Sequence, residues 1–84
     1  MTAIEVALLA VLAIRGGDEE GARGHISRAQ DGTRTAARRE RQLVEIASLV
    51  VAREQCRAAG LALEHIARFP ADAELLAQIV PEPC

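Results

Sequence analysis

Apolar residues recur along this chain at spacings of three and four, and no run of alternating β-branched and aromatic residues bounded by turn signals appears. That pattern predicts helices and no strands. The first helix opens at Thr2-Ala3-Ile4-Glu5, a capping box in which Thr2 takes an orphan amide and Glu5 reaches back to the cap. It runs to about Arg15 and ends at Gly16-Gly17-Asp18, where glycine can adopt a left-handed cap and Asp18 can open the next helix. Glu19 and Glu20 suit the positive end of that second helix, which is expected to run to about Gln30 and stop at Asp31-Gly32. Gly21 and Gly24 each cost it about 1 kcal/mol relative to alanine, and two glycines on one face predict a close backbone approach.

A third helix is expected from near Thr35, burying Leu43, Ile46, Ala47 and Val50 and turning Arg38, Arg41, Gln42 and Glu45 to the other side. No glycine or proline follows it, so the break is placed around Arg53-Glu54-Gln55, where the pattern shifts phase. Ala59, Ala62, Leu63 and Ile66 mark the buried stripe of a fourth helix that Pro70 ends, with Phe69 packing at the corner. Asp72 is the expected N-cap of a short last helix carrying Leu75, Leu76 and Ile79, stopped by Pro81-Glu82-Pro83-Cys84. The reading is one domain over 1–80, with helix pairs at about 2–30 and 35–69, a final helix at about 72–79, and a tail at 81–84.

Composition narrows this picture. A chain of 84 residues holds one domain, burying roughly 60–65% of the surface its unfolded form exposes. Its apolar half is mostly Ala, Leu, Val and Ile, with Phe69 the only aromatic residue, a composition suited to helices packed closely together. A net charge of −2 gives no overall field towards nucleic acid or an acidic membrane. The apolar stretch from Val6 to Ile14 is preceded by Glu5 and is too short to span a bilayer. Cys56 and Cys84 lack the spacing of a disulfide framework or a zinc site, so reduced thiols and a cytoplasmic location are expected, with Cys84 exposed.

The first helix pair resembles a tetratricopeptide repeat. Ala10, the Gly17 turn, and then Ala22, Ile26 and Ala29 fall like that family's small, turn and small-large-small positions. In the same register the second pair places Ala58, Ala62 and His65, a degenerate match. Arg39 to Ala47, Arg57-Ala58, Leu63 to Ala67 and Phe69 to Ala73 together resemble the tetratricopeptide-repeat protein 38 family, over about the second half of the chain. The family's Gly-Asp turn stands here as Glu54-Gln55, and its members are several times longer, which makes this chain similar to a fragment or a reduced relative. The resemblance implies an all-α fold of antiparallel helix pairs stacked as a short right-handed solenoid of about two repeats plus a C-terminal helix. It implies protein or peptide binding on the inner face, with no catalytic residue to carry over.

Candidate chemistry is sparse. His25 and His65 stand alone on different helices with no metal or nucleophile spacing. Cys56 becomes a nucleophile only with a lowered pKa, to which Arg57 or a helix N-terminus would contribute. Arg34, Arg38 and Arg41 share a helical face suited to a carboxylate or phosphate, but Glu40 and Glu45 interleave it and no aromatic platform accompanies it. Neither a cofactor, a metal, an enzyme nor a nucleic-acid binder is expected. The expected function is a scaffold whose groove, lined by the first and third helices, receives a partner's peptide or helix through Arg38, Arg41, Gln42 and Glu45.

The alternative is a protein that chiefly assembles with itself. Ile4, Leu8, Val11 and Leu12 form one stripe of the first helix, while Val6, Leu9 and Ala13 make the opposite side apolar as well. Each such side chain is worth about 1.5–3 kcal/mol when buried, and a two-pair stack has open ends, so a homodimer through this helix is expected.

Overall fold

A computed structural model describes residues 1–80, and among them there are helices and turns but no strand. The helices are α1 (Ala3–Arg15), α2 (Glu19–Gly32), α3 (Arg38–Val51), α4 (Gln55–Arg68) and α5 (Ala73–Ile79), with a 3-10 turn at Pro70–Asp72 before α5. The expected tail, 81–84, lies outside the described residues.

Local chemistry accounts for most of these boundaries. Thr2 and Glu5 form the capping box, with Glu5 N–H donating to Thr2 Oγ1 at 3.2 Å and Thr2 N–H to Glu5 Oε1 at 2.9 Å. The Thr2 N–H holds the exposed Glu5 carboxyl below its usual value. After α1, Gly17 takes φ +87° while Asp18 N–H donates to Ala13 O and Gly17 N–H to Ile14 O, the paired bonds of a Schellman cap. Asp18 then caps α2 by accepting from Gly21 N–H at 2.9 Å.

The turn between α3 and α4 repeats that pattern without glycine. Arg53 takes φ +63°, Glu54 N–H donates to Leu49 O and Arg53 N–H to Val50 O. The turn pair is therefore Arg53-Glu54, one residue earlier than the expected Glu54-Gln55. Gly17 and Arg53 stand thirty-six residues apart, as do Ala22 and Ala58, Ile26 and Ala62, and Ala29 and His65.

Two other boundaries differ from expectation. Thr33 closes α2 by donating its hydroxyl to the carbonyls of Ala29 and Gln30, which delays α3 to Arg38, preceded by an extended Ala37 with no side-chain cap. Gly21 and Gly24 of α2 do not bring helices together. A Cβ on Gly24 would meet open space, and one on Gly21 would collide with the capping carboxylate of Asp18.

One apolar cluster joins the helices: Ala7, Ala10 and Val11 of α1, Ile26 and Ala29 of α2, Leu43, Val44, Ile46, Ala47 and Val50 of α3, Ala58 and Ala62 of α4, and Leu76 and Ile79 of α5. α1 packs along α2 and against α3, which also lies against α2 and α4. The fifth helix, expected to be unpaired, buries Leu76 and Ile79 in its own chain, with Leu75 half-buried. Arg15, in the last turn of α1, ties it there by donating to the carbonyls of Gln78 and Ile79. The buried stripe of α4 is Ala58, Ala62 and His65, not the expected Ala59, Ala62, Leu63 and Ile66: Leu63 is 71% exposed. The helix is turned so that His65 meets polar partners on α3 and before α5.

Candidate functional site

The helical period that buries Leu43, Ile46, Ala47 and Val50 leaves the opposite face of α3 open. There Arg38, Arg41, Gln42 and Glu45 line one hollow of about 350 Å³. A second hollow of about 520 Å³ shares Arg41 and Glu45 and reaches Gln30 and Arg34 at the end of α2. A third, of about 460 Å³, shares Gln30 and Ser48 and continues to Arg23 and Arg53. They form a furrow along the seam of α2 and α3. Of α1, only Ile14 reaches the furrow; α1 itself packs on α3.

Charge is unevenly used along it. Glu19 pairs with Arg23 at 3.4 Å and with Arg53 at 3.1 Å, and Arg34 with Asp31 at 3.5 Å. Arg38, Arg41 and Glu45 are exposed and make no ion pair among the described residues. An arginine fork left in water is suited to a carboxylate, which it can hold through two parallel hydrogen bonds.

Gln42 connects this surface to a buried polar network. Its amide lies 2.9 Å from His65 Nδ1, and His65 Nε2 lies 2.7 Å from Asp72 Oδ2. Arg39 Nε donates to the same oxygen at 2.8 Å and Arg39 Nη2 to Oδ1 at 2.7 Å. His65 is fully buried and Asp72 only 4% exposed, yet no buried side-chain polar atom among the described residues lacks a partner. The Arg39 hydrogen bonds hold the Asp72 carboxyl below its ordinary range against the opposing effect of burial, with His65 adding to them, and Asp72 in turn raises Arg39. The Phe69 ring lies against His65 with centroids 4.8 Å apart. The His65 ring has no open edge for a substrate.

This network was not foreseen. Asp72, expected as an N-cap, makes no side-chain cap bond because its carboxylate is turned inward to Arg39 and His65. The one signal in the sequence was His65, which occupies a slot that holds Ala29 in the first pair.

The other candidates are scattered. His25 contacts Arg28 on its own helix, and the described residues contain no cluster of three potential metal ligands. Cys56 is disulfide-bonded, which corrects the expectation of a reduced thiol; Cys84 lies outside the described residues. Of the stripe expected to self-associate, Ile4 and Leu8 are half-buried and Val11, 2% exposed, belongs to the core. Leu12 is 62% exposed, with Leu9 beside it at 37%. Between α4 and α5 an apolar groove of about 260 Å³ is lined by Ala59, Leu63, Ile66 and Ala77 among others. Among the described residues no helix is long and apolar enough to cross a membrane. No protein-family model, curated protein or solved structure matches the chain.

Proposed function

We propose that this protein is a non-catalytic interaction module, a short right-handed stack of two tetratricopeptide-like helix pairs closed by α5. On this reading it binds a peptide or helix of another protein along the open face of α3. The observation that carries the proposal is that Arg38, Arg41, Gln42 and Glu45 line one open hollow, with both arginines unpaired among the described residues. The repeated turn at Gly17 and Arg53 supports the stacked-pair reading, as does the thirty-six-residue recurrence of Ala22 at Ala58. A partner segment bearing an acidic side chain suits this face.

The test is a pull-down comparing the wild type with the double variant Arg38→Glu, Arg41→Glu. Loss of the captured protein with an unchanged circular dichroism spectrum is expected. Equal capture by both would move the binding face elsewhere.

A second reading, self-association through α1, is favoured by the exposure of Leu12 and Leu9. Light scattering coupled to gel filtration is expected to show a dimer that Leu12→Glu dissociates. A monomer at all concentrations would remove this reading.

A further inference from the structure

Gln42 stands at two places at once. It lines the hollow on α3 and its amide reaches the buried His65 ring. From there the chain of contacts runs through Asp72 to Arg39, joining α3, α4 and the residue immediately before α5. We propose that Arg39, Gln42, His65 and Asp72 form a latch that holds α5 on the body of the protein and couples its docking to what occupies the open face of α3. The latch stands on geometry alone; its coupling to a partner rests on the reading of that face as the binding surface.

Three features support it. α5 has seven residues, too short to persist as a helix by itself, so its structure depends on what holds it. Its N-terminal side is fixed by the latch, its far end by Arg15, and its middle by Leu76 and Ile79. Among the described residues, the groups facing the Asp72 carboxylate are Arg39 from α3 and His65 from α4, and the group facing the other ring nitrogen is Gln42. Gln42 can serve His65 with its amide oxygen or, turned over, with its nitrogen. A ligand that recruits this amide changes how the ring is held, and linkage then requires docking of α5 to change the affinity of that ligand by the same factor.

The latch also has a direction in pH. The Asp72 carboxyl is held below its ordinary value, so its contribution is complete above the ordinary carboxylate range and is lost as the pH falls through the lower folded-state value. Release belongs below the ordinary carboxylate range.

The test is backbone nuclear magnetic resonance of the full chain. In Asp72→Asn, and more mildly in Arg39→Gln, the docked-to-detached ratio of α5 is expected to fall about ten- to a hundred-fold. The shifts of residues 73–79 then move towards coil values while α1 to α3 keep helical shifts. In the wild type the same change is expected on acidification, ahead of the other helices, and Asp72→Asn is expected to lack that separate step. Helical shifts persisting at 73–79 in both variants, or all helices melting together in the milder Arg39→Gln, would overturn the latch. Gln42→Ala is expected to loosen 73–79 in the absence of any partner. Unchanged shifts there would overturn the coupling while leaving the pull-down result for Arg38 and Arg41 untouched.

Discussion

The two helix pairs of this protein use the same turn and the same spacing with different chemistry. In the first, Gly17 supplies the left-handed residue and the Asp18 side chain caps the next helix. In the second, Arg53 takes the same left-handed conformation and Glu54 leaves its helix without a side-chain cap, pairing instead with Arg57 at 2.9 Å. The interiors differ likewise: Ala10 of α1 is matched thirty-six residues on by Ile46 of α3, and Ala29 of α2 by His65 of α4. The first pair is locally well specified and packs closely through small residues, mostly alanine. The second has weaker local signals, larger core residues and a polar network that takes part of its definition from α5.

The seams diverge as well. Arg23, Ser27 and Gln30 of α2 bring polar side chains to a mixed furrow, whereas their counterparts Ala59, Leu63 and Ile66 of α4 line an apolar one. Equivalent positions thus carry different surface chemistry, and a likeness between repeats does not transfer a binding face from one to the other.

Substitutions that make one pair resemble the other test this contrast. The largest effect is expected at Ile46→Ala, which imposes the first pair's residue on a fully buried site and is expected to cost about 2–5 kcal/mol in urea denaturation. A loss below 1 kcal/mol would mean that the second pair's interior is not close-packed. Next is His65→Ala, again the first pair's residue, expected to cost about 1–3 kcal/mol because it leaves Asp72 and Gln42 without their shared partner.

The turns give smaller and opposite effects. Gly17→Ala forces a Cβ into the left-handed region and is expected to destabilise by about 1–2 kcal/mol. Arg53→Gly relieves that same strain and is expected to be neutral or to stabilise by up to about 1 kcal/mol, since its ion pair with Glu19 is exposed. Equal signs for the two in thermal unfolding would refute the equivalence of the turns. The smallest effect is expected at Leu63→Ser, within about 0.5 kcal/mol, because that side chain is 71% exposed. A larger loss would show that something covers the α4–α5 groove.

Sequence reasoning reached the parts of this fold that local chemistry decides. The Thr2-Glu5 box, the Gly17 turn, the Asp18 cap and the buried stripe of α3 each follow from residues within one turn of one another. It misplaced what depends on distant partners. Leu63 read as core from its spacing, but burial of His65 against Asp72 and Gln42 turns α4 the other way. Asp72 read as a cap because nothing near it in sequence discloses Arg39, thirty-three residues earlier. Arg53 carried no signal for a left-handed turn, since glycine is the residue that announces one. The four side chains of the open face were readable as a group because they share one helix, while the walls around them required the packing of α2.

The claim on which the functional reading turns is that the α3 face meets the partner, and a photo-crosslinking residue placed at Glu45 tests it most directly, with the same residue at Leu63 as the comparison. Crosslinks from position 45 to another protein, absent from position 63, are the expected result. Crosslinks only between copies of this chain, or the same partner captured from position 63 alone, would contradict it.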